Sequence, residues 1–207
     1  MNKNNIAELL LETEAVFLRP DNPFTWASGI KSPVYCDNRL TLTAPEVRTV
    51  IEQQIADTIK TEYPNTQILM GTSTAGIAHA AIAAHILGLP MGYVRGAAKG
   101  HGRENRIEGR LQPGQKTVVI EDLISTGGSV LDTVEALRQA GADVIGIVSI
   151  FTYQFQQAQR AITDAGIKNT SLCNLDALIQ TALARGYITG EQAHMIEAFR
   201  ADPKEWR

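Results

Sequence analysis

Hydrophobic patterning along the chain falls into two regimes that meet near residue 64. Before it, "IAELLLETEAV" (6–16) and "TAPEVRTVIEQQIADTIKTEY" (43–63) repeat apolar residues at helical spacing, and Thr43 with Glu46 has the spacing of a capping box. Between them, "PFTWASGIKSPVYCDNR" (23–39) is rich in aromatic, β-branched and turn residues, with Gly29 near its middle. This predicts a small hairpin-like excursion. After residue 64, the continuous apolar runs "QILMG", "PMGYVR", "KTVVIED" and "DVIGIVSIF" alternate with the helical stretches "GIAHAAIAAHILG" and "GSVLDTVEALRQAGA". Apolar runs without polar alternation suit strands of a parallel sheet covered on both faces, so an α/β domain is expected. "NLDALIQTALARGYITGEQAHMIEAFR" (174–200) returns to helix, with Thr189 and Gln192 again at capping-box spacing.

Open α/β sheets bind ligands beyond the carboxyl ends of their strands. Three segments occupy that position: "GTSTAG" (71–76), "GAAKGHGREN" (96–105) and "LISTGGS" (123–129). The last belongs to "TVVIEDLISTGGSVLD" (117–132), where an apolar strand ends in two acids and continues into a hydroxyl and glycine loop ahead of a helix. Gly127 and Gly128 open backbone conformations denied to other residues, and the free N–H groups of the following helix can surround a phosphate. Glu121 and Asp122 would repel that same anion, so they call for a cation or for neutral hydroxyl donors. A sugar diol joined to a magnesium-bound pyrophosphate meets both demands. The plainer alternative is a helix capped by Ser125, Thr126 or Ser129 beside a solvated strand end.

Composition narrows the setting. A chain of 207 residues with 44% hydrophobic content builds one sizeable core, and a net charge of −3 argues against an extended basic face for nucleic acid. Cys36 and Cys173 are the two cysteines, and no apolar run reaches membrane-spanning length, so a cytoplasmic protein with reduced thiols and no membrane partner is expected. "GHGREN" lacks the third glycine of a dinucleotide fingerprint, no P-loop occurs, and no Cys/His spacing suggests zinc. His79 and His85 read as packing residues of the alanine-rich helix, and His194 as solvated.

The stretch Val118–Ser129 resembles the phosphoribosyl pyrophosphate signature of the type I phosphoribosyltransferases. "FTWASGIKSPVYCDNR", "GTSTAGI" and "YVRGAAKGHG" are similar to the hood, pyrophosphate loop and mobile loop of the orotate-using members, so the resemblance covers most of residues 24–149. It implies a single domain over residues 1–207: a core of about 64–165 with a parallel sheet of about five strands flanked by helices, and a hood mainly from 1–40 with part of 170–207 as a candidate addition. It further implies transfer of ribose 5-phosphate from phosphoribosyl pyrophosphate to orotate, giving orotidine 5′-monophosphate and pyrophosphate in pyrimidine (UMP) biosynthesis. Carried over residue by residue, Arg95, Lys99, His101, Glu121, Asp122, Leu123, Ile124, Ser125, Thr126, Gly127, Gly128 and Ser129 bind the sugar pyrophosphate. Lys99, His101 and Asp122 are the catalytic candidates, while Ser125, Lys31 and Tyr35 face orotate. Magnesium is the implied cofactor, held mainly through substrate, and the partner is a second copy of the chain sharing the mobile loop across a two-fold axis. Segment 96–115 has five glycines and four Lys or Arg residues, a composition suited to covering an anion.

Departures from the family pattern concern cationic contacts. Ala27, Ala75 and Gly96 stand where many members carry lysine, and Tyr153 in "FTYQF" is the nearest counterpart of an arginine that some members direct at orotate. Two other readings stay open at this level: transfer to a different base such as a purine, and a non-catalytic sensor of the sugar pyrophosphate.

Overall fold

The computed structural model describes residues 3–26, 29–96 and 106–206. Helix α1 (Lys3–Glu12) leads into four short strands, β1 (Val16–Leu18), β2 (Phe24–Thr25), β3 (Lys31–Ser32) and β4 (Val34–Cys36). They form two antiparallel pairs, β1 with β4 and β2 with β3. Gly29 sits at φ +85 between β2 and β3, the left-handed conformation that a tight reversal demands. A 3-10 turn (Asn38–Thr43) follows, capped by Asp37, and then α2 (Pro45–Glu62). The capping box expected at Thr43 and Glu46 does not form. Ala44 is the N-cap of α2 with Pro45 in its first turn, and the Thr43 hydroxyl instead donates to the Leu40 carbonyl at 2.8 Å inside the 3-10 turn. At the last helix of the chain the predicted box is present, with Thr189 and Gln192 bonding reciprocally.

The remaining chain alternates strands and helices: β5 (Ile68–Thr72), α3 (Gly76–Leu87), β6 (Met91–Val94), β7 (Ile107–Glu108), β8 (Lys116–Ile124), α4 (Gly128–Gln139), β9 (Asp143–Thr152), α5 (Gln156–Asp164), β10 (Asn169–Asn174), α6 (Leu175–Ala184) and α7 (Gly190–Ala201). One sheet of order β10-β9-β8-β5-β6-β7 results, parallel except for β7, which pairs antiparallel with β6. Five parallel strands match the expected number. The fifth, β10, is "NTSLCN", an edge strand too polar to read as an apolar run; the hydroxyl of its Ser171 lies 2.7 Å from that of Ser149.

Successive side chains of a strand point to opposite faces, and the two faces carry different helices. Leu69, Val118, Ile120, Val148 and Ile150 join one core with Ile51, Ile55 and Ile59 of α2 and with Ala80, Ala83 and Ala84 of α3. Ile68, Met70, Val119 and Ile147 join the other with Val130, Val134 and Leu137 of α4 and Ala158 of α5. Burial on both sides explains why these strands read as unbroken apolar runs. The first core continues through an aromatic cluster that ties the chain ends together: the Trp26 ring lies 5.8 Å from Phe199 of α7 and 5.5 Å from Tyr153. No helix among the described residues is long and apolar enough to cross a membrane.

Candidate active site

The loops that follow β5 and β8 are locked against each other by glycine. A Cβ placed on Gly76 would lie 2.4 Å from the Ile120 carbonyl oxygen, and one on Gly71 would lie 2.8 Å from the Gly76 carbonyl oxygen. Only glycine at both positions lets the 71–76 turn reach the end of β8. The Ser73–Thr74 peptide in this turn is cis. The Ser73 hydroxyl accepts a hydrogen bond from the Gly96 N–H at 2.8 Å, and the Ser73 N–H donates to the Val94 carbonyl. Three strand ends, those of β5, β6 and β8, therefore meet at one edge of the sheet.

Within this cluster the two acids differ. Glu121 is buried, and its Oε1 accepts from the Asp122 N–H at 2.9 Å. Burial, with the neighbouring Asp122 carboxyl second, pushes the Glu121 carboxyl up to about 9, so at neutral pH it keeps its proton. Asp122 is only half-buried. A protonated Glu121 suits hydroxyl recognition, since a carboxylic acid can donate as well as accept. The chain then turns through half-buried Ser125 and exposed Thr126 to Gly127, which takes a φ of +83 at the N-cap of α4. No side chain caps α4, so the capping alternative raised for Ser125, Thr126 and Ser129 does not hold there. Around Gly128 a built Cβ meets nothing within 4 Å, which leaves the helix start open to an anion.

The phosphoribosyl transferase domain model matches residues 41–180. The orotate phosphoribosyltransferase of Listeria monocytogenes is 52% identical over 204 residues, covering 99% of this chain and 98% of its own. The chain belongs to the orotate phosphoribosyltransferase family. Among solved structures, the orotate phosphoribosyltransferase of Aeropyrum pernix is 27% identical with a TM-score of 0.78, over 89% of this chain and 99% of that one. UMP synthase of Leishmania donovani is 26% identical with a TM-score of 0.81 over 97% of this chain; the chain spans 42% of the length of that larger protein.

The residues expected of a phosphoribosyltransferase separate into groups. Asp122, Ser125, Thr126, Gly127, Gly128 and Ser129 line one continuous turn, with Glu121 buried behind it and Leu123 half-buried. The Ile124 side chain packs in the core, and its carbonyl accepts from the Tyr153 N–H at 3.1 Å. Arg95 lies 3.1 Å from Glu108, and its carbonyl accepts from Arg106 Nε at 2.9 Å. Arg106 also grips Asp132 of α4 through both guanidinium NH groups. Lys31 donates to the Thr25 hydroxyl at 2.8 Å, and Tyr35 packs 5.5 Å from the Phe24 ring, both on the small N-terminal sheets. Lys99, His101 and Ala27 lie outside the described residues.

Tyr153 takes no place in the cleft: it is 2% exposed and stacks on Phe155 at 5.2 Å. His79 is buried as expected, though with a polar partner, Glu52 Oε1 at 2.6 Å from its Nδ1. Burial pushes the Glu52 carboxyl upward. His85 is exposed rather than packed, because its position faces away from both cores, and His194 is solvated. Asn38 was not singled out by sequence, yet its Nδ2 donates to the Asp122 carbonyl at 2.7 Å. Nothing in a polar "DNR" triplet after a hairpin signals a contact 84 residues away.

Among the described residues no group of three or more His, Cys, Asp or Glu side chains is placed to hold a metal ion. The donor that fits a cation here is the half-buried Asp122 carboxylate at the mouth of the turn, beside the oxygens a substrate would bring.

Proposed function

We infer that this chain transfers the ribose 5-phosphate group of phosphoribosyl pyrophosphate to orotate, releasing pyrophosphate. The observation that carries the reading is the turn at the end of β8, where buried Glu121 and half-buried Asp122 lead directly into an uncapped helix start. The 5′-phosphate suits the N–H groups from Thr126 to Ser129, and the ribose hydroxyls suit Glu121 and Asp122. Breaking the bond from ribose C1 to pyrophosphate leaves an oxocarbenium-like centre and concentrates negative charge on the leaving group. Arg95, Lys99 and His101 are the side chains proposed to stabilise that charge, a role carried by the family resemblance. Magnesium, held mainly through substrate oxygens, would supply further neutralisation of the pyrophosphate. Lys31, Tyr35 and Ser125 are proposed to face orotate, with residues 1–40 and part of 170–207 as the hood over a core of about 64–165.

We further propose a cytoplasmic homodimer in which the loop within segment 96–115 of one copy serves the site of the other. Free, buried Cys36 and Cys173 fit a reducing compartment. Transfer to a purine is disfavoured by the orotate-using relative at 52% identity over nearly the whole chain, and so is a sensor without activity. The test is a base panel with magnesium and phosphoribosyl pyrophosphate. Orotate should be consumed with stoichiometric pyrophosphate release, whereas turnover of hypoxanthine or uracil with orotate inert ends the assignment.

A further inference from the structure

The sheet ends unevenly around Asp122. Pairing between β5 and β8 stops at Gly71 opposite Ile120, because β5 turns away into the 71–76 loop, while β8 continues alongside β9 as far as Ile124 opposite Thr152. Asp122 lies beyond the last β5 partner, and both its backbone polar groups are met by side chains. The N–H donates to Glu121 Oε1 at 2.9 Å, and the carbonyl accepts from Asn38 Nδ2 at 2.7 Å. A carbonyl only accepts, so the amide must present its NH2 group to it.

Asn38 is itself held fast. Asp37 accepts from the Arg39 N–H, capping the 3-10 turn, and the Asn38 carbonyl accepts from the Thr41 hydroxyl at 2.6 Å. The side chain is 0% exposed, and its Oδ1 is buried with no hydrogen-bond partner among the described residues. Burying an unpartnered carbonyl oxygen costs stability that an apolar side chain would avoid. Packing alone does not account for an asparagine here; donation to the Asp122 carbonyl does.

We propose that Asn38 is a positioning residue of the reaction, standing in for the missing strand and fixing the Asp122 backbone so that its carboxylate meets the sugar hydroxyls. The proposal rests on the phosphoribosyltransferase reading of the site. It also ties the region after β4 to the acid pair, so the N-terminal segment and the sugar site share one rigid contact.

The experiment is a kinetic double-mutant cycle with Asn38→Ala and Asp122→Asn, joined by calorimetric binding of phosphoribosyl pyrophosphate with magnesium. Misplacing a reacting group by a fraction of an ångström to an ångström costs up to about 100-fold, so Asn38→Ala should lower kcat/KM for the sugar pyrophosphate by about 10–100-fold. In the Asp122→Asn background the same change should cost less than about threefold, because the carboxylate it positions is gone. Losses that multiply independently overturn the proposal, as does an Asn38→Ala chain with wild-type kinetics. Asn38→Leu, which keeps the volume, removes the donor at every pH and should lose at least as much as alanine; it carries the cycle should the alanine chain fail to fold. Wild-type chain that binds the sugar pyrophosphate but leaves orotate inert refutes the base assignment alone, and the binding measurements still decide the role of Asn38.

Discussion

Replacing Glu121 by glutamine tests whether the buried carboxyl holds its proton in the folded chain. In the folded chain the carboxyl is 4% exposed and is pushed up to about 9, against an ordinary value of 4.5. The folded state thus binds the proton more tightly than the unfolded state does. Its contribution to stability is complete below pH 4.5 and is lost as pH rises toward about 9. Glutamine has nearly the same shape, retains an oxygen to accept from the Asp122 N–H and offers an NH2 group in place of the acid O–H, but it does not titrate. Each pH unit inside the window changes the stability difference between variant and wild type by about 1.4 kcal/mol, or about 2–3 kcal/mol from pH 5 to pH 7. Urea unfolding of both chains at pH 5, 6, 7 and 8 measures it, and the variant should gain steadily on wild type. With its donor preserved, Glu121→Gln should also keep kcat/KM within about tenfold of wild type at pH 7, the scale of one modest hydrogen bond. A stability difference that stays flat across that range refutes the reasoning, because it means that Glu121 titrates alike folded and unfolded.

Three further expectations follow from the same geometry. Asp122→Asn should reduce turnover by about 100-fold or more while shifting Tm little, since a half-buried strand-end acid contributes little to folding; equal losses of activity and Tm would point to a structural role. Glycine-to-alanine changes should split by position: Gly76→Ala, whose methyl would meet the Ile120 carbonyl, should cost about 1–3 kcal/mol in urea unfolding. Gly128→Ala should leave stability within about 0.5 kcal/mol yet raise KM for phosphoribosyl pyrophosphate, and unchanged KM would remove the anion cradle from the start of α4. Finally, mixing strongly impaired Lys99→Ala and Asp122→Asn chains under subunit exchange should restore roughly a quarter of wild-type site activity, because half the dimers are mixed and each has one intact site. Exchange verified by mass spectrometry without recovered activity rules out a loop shared between subunits.

What the sequence alone determined is local in origin. The run Val118–Ser129 announces strand, acids, turn and helix because each step depends on neighbours a few residues away: continuous apolar residues for a strand buried on both faces, glycine for φ +83 at Gly127, and Thr189 with Gln192 for a reciprocal cap. The same locality explains the misreading at Thr43, where two capping arrangements lie within a few residues and the 3-10 turn took the hydroxyl. Tertiary structure decided what depends on distant surroundings. Tyr153 was drawn into an aromatic cluster rather than a cleft, and polar "NTSLCN" became an edge strand because β9 offered it a ladder. The identity of two adjacent acids says nothing of which is buried; that follows from the glycine-tight 71–76 turn packed over β8 and from Asn38 arriving from 84 residues away. Burial sets the proton affinity of Glu121, and burial belongs to the packed chain rather than to any stretch of it.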